Sequence, residues 1–119
     1  MIQNRIILKS DGQILFIRPE EIDWIESEGT YIRLHLKNEC RLIKAQMNQL
    51  EEALDPENFF RLNRSAIVNL DFIQQMEPDF RGTYRTVLKD GTELILSRNY
   101  RERLFAQISA GVRFLSIAK

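Results

Sequence analysis

The stretch Phe59-Phe60-Arg61-Leu62-Asn63-Arg64-Ser65-Ala66-Ile67-Val68-Asn69-Leu70 decides how this chain is read. It runs strand, short corner, strand. Phe60, Ile67, Val68 and Leu70 are core-type residues on either side, and Arg61, Asn63, Arg64 and Ser65 form a polar tip between them. An apolar frame that holds arginine and asparagine on a short corner suits contact with base edges and phosphates, because these side chains match such groups in paired hydrogen bonds. Composition alone is also compatible with an ordinary solvated corner, with Asn63 bonding its own backbone as asparagine often does.

Outward from this corner the chain reads as short strands separated by turn signals. Ile6 to Leu8 and Ile14 to Ile17 flank Asp11-Gly12, a dipeptide suited to a tight hairpin. Asp23 to Ser27 and Tyr31 to Leu36 flank Glu28-Gly29, and in the second of these Ile32, Leu34 and Leu36 alternate with Tyr31, Arg33, His35 and Lys37. That period of two marks a strand with one buried and one solvated face. Lys37-Asn38 turns the chain into a strand around Cys40 to Ile43, where Cys40 reads as a small buried apolar residue. Met47, Leu50 and Leu54 recur at helical spacing, and Asp55-Pro56 ends that helix. Strands follow at Phe60 to Leu62, Ile67-Val68, Ile73 to Met76, Thr83 to Leu88 and Glu93 to Leu96, with a hairpin at Asp90-Gly91. Ser97 is placed to cap a second helix, about Asn99 to Ile108, with Arg101 and Arg103 on its solvated side. The expected fold class is mainly β, antiparallel sheets with two short helices.

The 119 residues form a single domain, 1–119, with no linker or repeat inside it. No apolar run approaches a membrane span, and the start lacks a basic-then-apolar signal pattern. One cysteine excludes an internal disulfide and fits a reducing, cytoplasmic setting. Net charge is zero, which counts against a nucleic-acid partner, but the distribution is uneven. Residues 1–60 carry seven Lys/Arg against eleven Asp/Glu, and residues 61–119 carry ten against six.

Enzymatic readings fail early, so the chain is expected to be no enzyme and to need no cofactor. With His35 as the sole histidine and Cys40 as the sole cysteine there is neither a nucleophile–base constellation nor a zinc ligand set. The five glycines are too dispersed for a phosphate cradle. Three loops remain. Glu28-Gly29-Thr30-Tyr31 offers Thr30 and Tyr31 to a phosphate or a thymine methyl, with Glu28 an unwelcome neighbour for phosphate. Asn63-Arg64-Ser65 is the second. Ser97-Arg98-Asn99-Tyr100 is the third, at a helix start that favours anions, where Arg98 gains nothing from the helix dipole.

The central stretch, with Ile25-Glu26-Ser27-Glu28-Gly29 upstream and Ser97-Arg98 downstream, resembles the LytTR family of bacterial DNA-binding domains. That family's hallmark is F-x-R-x-H-R-S-x-I-V-N, reproduced over Phe59 to Asn69 with Asn63 where histidine is usual. The resemblance runs from about Ile6 to about Leu104 and leaves a tail, 110–119, without assignment. It implies an elongated antiparallel β fold that reads duplex DNA with loops, within a bacterial transcription regulator. Arg64 and Arg98 would be the principal base- or phosphate-contacting residues, with Thr30 or Tyr31 in the first loop, Asn63 and Asn99 in support, and Ser65 on a phosphate or capping the corner. Arg61 would brace the loop. Such domains bind paired direct repeats as dimers, often behind a phosphorylated receiver domain; these residues contain no receiver, which leaves a response-regulator effector domain or a standalone regulator. The alternatives from other classes are a β domain that binds a protein or ligand, and a single-stranded RNA binder, for which Tyr31, Tyr84 and Tyr100 are too scattered.

Overall fold

Alternating apolar and polar residues need a sheet with something packed on it, and here one face of the central sheet is covered along all five strands and the other over three of them. A computed structural model describes residues 5–111, with side chains as far as residue 108, and Ile117. The central sheet has five antiparallel strands in the order β5-β4-β3-β7-β6: β3 Ile22–Glu28, β4 Tyr31–Leu36, β5 Cys40–Lys44, β6 Phe59–Asn63 and β7 Ala66–Asn69. A two-stranded hairpin, β1 Ile6–Ser10 and β2 Gln13–Ile17, and a short helix, α1 Met47–Ala53, contribute to the core on one face. The core on the other face draws on a three-stranded sheet, β8 Ile73–Pro78, β9 Tyr84–Leu88 and β10 Glu93–Leu96, and on α2 Arg98–Gly111. The extents of 54 × 34 × 24 Å make the domain elongated.

Strands β3, β6 and β7 send successive side chains to opposite cores, whereas β4 and β5 bury one face only, in the core with α1. Phe59 and Ile67 enter the core with α1 and the first hairpin, while Phe60, Leu62 and Val68 enter the core with β9, β10 and α2. Strand β3 adds a bulge between Ile22 and Trp24. The extra residue reverses the alternation, so Ile22 and Ile25 share one core although three positions apart, and Trp24 faces the other. His35 stacks on the Trp24 ring with centroids 4.2 Å apart.

The expected strands and both helices are present, with the differences lying at turns and edges. Asp11 and Gly12 both have positive φ, 48° and 79°, the backbone of a tight two-residue hairpin. The next turn is Gly29-Thr30, because Glu28 pairs with Tyr31 and belongs to the strand. Cys40 is exposed, against expectation. It lies on the edge strand β5, of which only Ile43 is buried, so Leu42 is open as well. Ser97 precedes α2, but its carbonyl, accepting from the Tyr100 N–H at 3.1 Å, makes the bond there; among the described residues its hydroxyl caps nothing. Leu70 is half-buried rather than fully enclosed. No helix among the described residues is long and apolar enough to cross a membrane. The tail 110–119 lies largely outside the described residues.

Candidate nucleic-acid interface

Topology gathers the three candidate loops at one end of the molecule. The turn Gly29-Thr30 closes β3 and β4, and β7 begins beside the end of β3, where the Ser27 N–H donates to the Ser65 carbonyl at 3.0 Å. The corner Asn63-Arg64-Ser65 therefore lies next to the first turn. On its other side the Ser97 N–H donates to the Leu62 carbonyl at 3.0 Å, which fixes the start of α2 against the end of β6. A chain of backbone bonds thus links all three segments.

Arg61 shapes the corner from beneath. It is 9 % exposed, not part of a solvated tip, because both faces of β6 are covered. Its guanidinium donates to the carbonyls of Asn63 at 2.9 Å and Arg64 at 2.7 Å, and to Asn48 at 3.1 Å and Glu51 at 2.8 Å. Five donors in a fixed fork allow one side chain to hold two carbonyls and two side chains together. Asn63 is the second fastener: its Oδ1 accepts from the Ser65 N–H at 2.7 Å and its Nδ2 donates to the Ile95 carbonyl at 2.7 Å. The local-backbone reading of Asn63 therefore describes one half of its amide, and the other half ties the corner to β10.

With the backbone held this way, Arg64 and Ser65 are exposed, and so are Arg98 and Asn99 at the start of α2. Among the described residues neither the Arg64 nor the Arg98 guanidinium has a hydrogen-bond or ion-pair partner. Thr30 sits exposed in its turn, at the rim of an open cleft of about 590 Å³ that Lys44, Gln46 and Gln49 also line. Tyr31 is 40 % exposed. Glu28, the misfit beside a phosphate, is held by Arg33 at 2.6 Å. The Arg33 guanidinium is in turn held above its ordinary pKa by the bond to the Cys40 thiol first, and then by the bond to and charge of Glu28.

Several residues at this end escaped the sequence reading. Lys44 lines the cleft beside Thr30 and has no carboxylate partner among the described residues. Arg101 and Arg103 tie elements together from the solvated side of α2: Arg101 donates to the Gly82 carbonyl at 2.9 Å, and the exposed Arg103 reaches Glu51 at 2.7 Å while lying over the Tyr100 ring. Helical spacing alone could not have revealed them, since their partners are 19 and 52 residues away.

The family described as the LytTr DNA-binding domain matches residues 12–109. The chain belongs to the LytTR family. Similar proteins include the sensory transduction protein LytT of Oceanobacillus iheyensis, 32 % identical over 105 residues, covering 86 % of this chain and 43 % of that protein. Another is LytT of Bacillus subtilis, 24 % identical over 86 % of this chain and 42 % of its own length. The transcriptional regulatory protein LytR of Staphylococcus aureus is 26 % identical over 82 % of this chain and 40 % of its own length. The chain therefore spans less than half the length of these relatives. A solved LytTR DNA-binding domain from Bacillus cereus superposes with a TM-score of 0.76, covering 89 % of this chain and 97 % of that one, at 19 % identity. The fold is thus the LytTR fold, as the motif resemblance implied, and the elongated antiparallel arrangement is its expected form.

Proposed function

We propose that this LytTR domain reads duplex DNA in a sequence-specific way, as the effector domain of a bacterial transcription regulator acting in the cytoplasm. The observation that carries the reading is the gathering of Arg64 and Arg98, both exposed and without partners among the described residues, on loops fixed to the same end of the central sheet. A guanidinium that answers no carboxylate of its own chain is available for the O6 and N7 of guanine or for a phosphate. Arg64 and Arg98 carry the base contacts, Thr30, Tyr31, Ser65 and Asn99 contact the backbone at the flanks, and Asn63 contributes chiefly by setting the corner. Two copies on paired direct repeats form the working unit. The domain supplies binding and no catalysis.

Selection of sites from a random duplex pool tests this reading, run with the natural chain and with Arg64→Ala and Arg98→Ala combined. A short motif is expected to emerge and to be lost in the double variant, at a cost of about 1–3 kcal/mol for each base contact removed. The variant's unfolding free energy should stay within about 0.5 kcal/mol of the original, since neither guanidinium has a hydrogen-bond or ion-pair partner among the described residues. A folded chain that enriches nothing at low salt sinks the reading and favours a protein-binding β domain.

A further inference from the structure

A fourth segment reaches the same end of the molecule. Strand β9 begins where β10 ends, with Tyr84 paired to Leu96, so the connection between β8 and β9 comes to lie beside Ser97 and Arg98. This connection, Asp79 to Thr83, is a tight corner fastened by its own bonds: Asp79 N–H to the Thr83 carbonyl at 2.9 Å, Thr83 N–H to the Phe80 carbonyl at 3.0 Å, and the Thr83 hydroxyl to the same carbonyl at 2.7 Å. Arg101 clamps it from α2 through the Gly82 carbonyl at 2.9 Å. Gly82 has φ of +80°, and a Cβ there would stand 3.1 Å from the Arg101 Nη1 and 3.5 Å from the Arg98 Cγ. The corner is thus packed directly against the base of the Arg98 side chain.

At its apex Arg81 has φ of 53° and ψ of 40°, a left-handed backbone that an arginine rarely adopts and a glycine adopts readily. Its side chain is exposed and, among the described residues, has no hydrogen-bond or ion-pair partner. Asp79, two positions earlier, makes no ion pair with it. Among the described residues no hydrogen bond or ion pair of the Arg81 side chain offsets the strain of this backbone. We propose that Arg81 binds a DNA phosphate flanking the bases reached by Arg98, which makes the Phe80-Arg81-Gly82 corner a fourth contact segment. This rests on the duplex-DNA reading above. A phosphate contact positions the protein without selecting sequence, so Arg81 contributes to affinity and salt dependence and leaves the preferred motif unchanged.

The test uses Arg81→Gly and Arg81→Lys in the full chain, with binding to the selected duplex followed by anisotropy across a salt series. Arg81→Gly removes the guanidinium and suits the left-handed backbone, so it is expected to fold at least as stably as the original. Its plot of log affinity against log salt should flatten by about 0.9, the share of one phosphate, with the motif retained. Arg81→Lys keeps a positive charge and should preserve the slope. Ethylation interference should reveal one flanking phosphate whose modification weakens the natural chain but not Arg81→Gly. An Arg81→Gly protein with unaltered affinity and slope overturns the assignment while leaving the DNA reading intact. Absence of DNA binding by the natural chain removes both.

Discussion

Arg61 shows how a buried cation can set the shape of an exposed corner. Its four partners are two backbone carbonyls, the Asn48 amide oxygen and the Glu51 carboxylate. Truncation leaves these acceptors without their donor, and breaking a buried charged pair costs about 3–5 kcal/mol; Glu51 is partly exposed, so the lower end applies. Arg61→Ala should therefore lower unfolding stability by about 3 kcal/mol in urea titrations and weaken DNA binding with it, whereas Arg64→Ala should affect binding alone. Equal stability of the two variants would contradict this division. The polarity of this stretch was legible in the sequence, and the bracing role of Arg61 was implied by the family resemblance. Its burial was not, because period two identifies a face but not whether a second layer covers it. Asn63 was ambiguous for a related reason: the Ile95 carbonyl that takes its amide N–H lies 32 residues away.

At the scale of elements, strand and helix positions along the chain were largely readable because turn residues punctuate them, and the three register shifts, at Ile22/Trp24, Arg61/Asn63 and Ile73/Gln75, were not. A bulge is visible only as a broken alternation, and Ile22-Asp23-Trp24 reads as a regular one that would put Ile22 and Trp24 on the same face. The three-stranded sheet supplies two predictions. Thr86 in β9 is fully buried, and its hydroxyl has no hydrogen-bond partner among the described residues. Thr86→Val removes that desolvated group with little change of shape, so stability should rise by about 1 kcal/mol, read from the thermal or urea midpoint. In the hairpin between β9 and β10, burial raises the Asp90 carboxyl, but hydrogen bonds from Thr92 outweigh it and hold the pKa below the ordinary value of 3.8. A lower pKa in the folded state means that the unfolded chain takes up the proton first. The resulting stabilisation is complete above the ordinary value and disappears as pH falls through the folded-state value. Asp90→Asn keeps the acceptor for the Thr92 N–H, and should narrow the loss of stability between about pH 6 and about pH 2.5. An identical loss in both proteins removes Asp90 from the account.

For the whole molecule, zero net charge conceals a separation of charges. Carboxylates hold Arg18, Arg33, Lys37, Arg41, Arg61, Arg85 and Arg103 in ion pairs, while Lys44, Arg64, Arg81 and Arg98, like Lys9, Lys89 and Arg101, have no such partner among the described residues. The uneven halves of the sequence hinted at this, but which cations are neutralised depends on pairings that only the fold creates. DNA affinity should accordingly fall steeply between about 50 mM and about 200 mM salt despite the neutral composition, by about 0.9 in the log–log slope per phosphate engaged. A flat response in fluorescence anisotropy would point to an interface without phosphates. There is a further consequence in how Arg61 holds the corner. Two of its bonds go to main-chain oxygens at positions 63 and 64, and main-chain oxygens are the same whichever amino acid occupies a position. The contour of the loop and the character displayed on it are therefore inherited separately. A lineage can exchange the side chain at position 64 without having to reinvent the support on which that side chain stands.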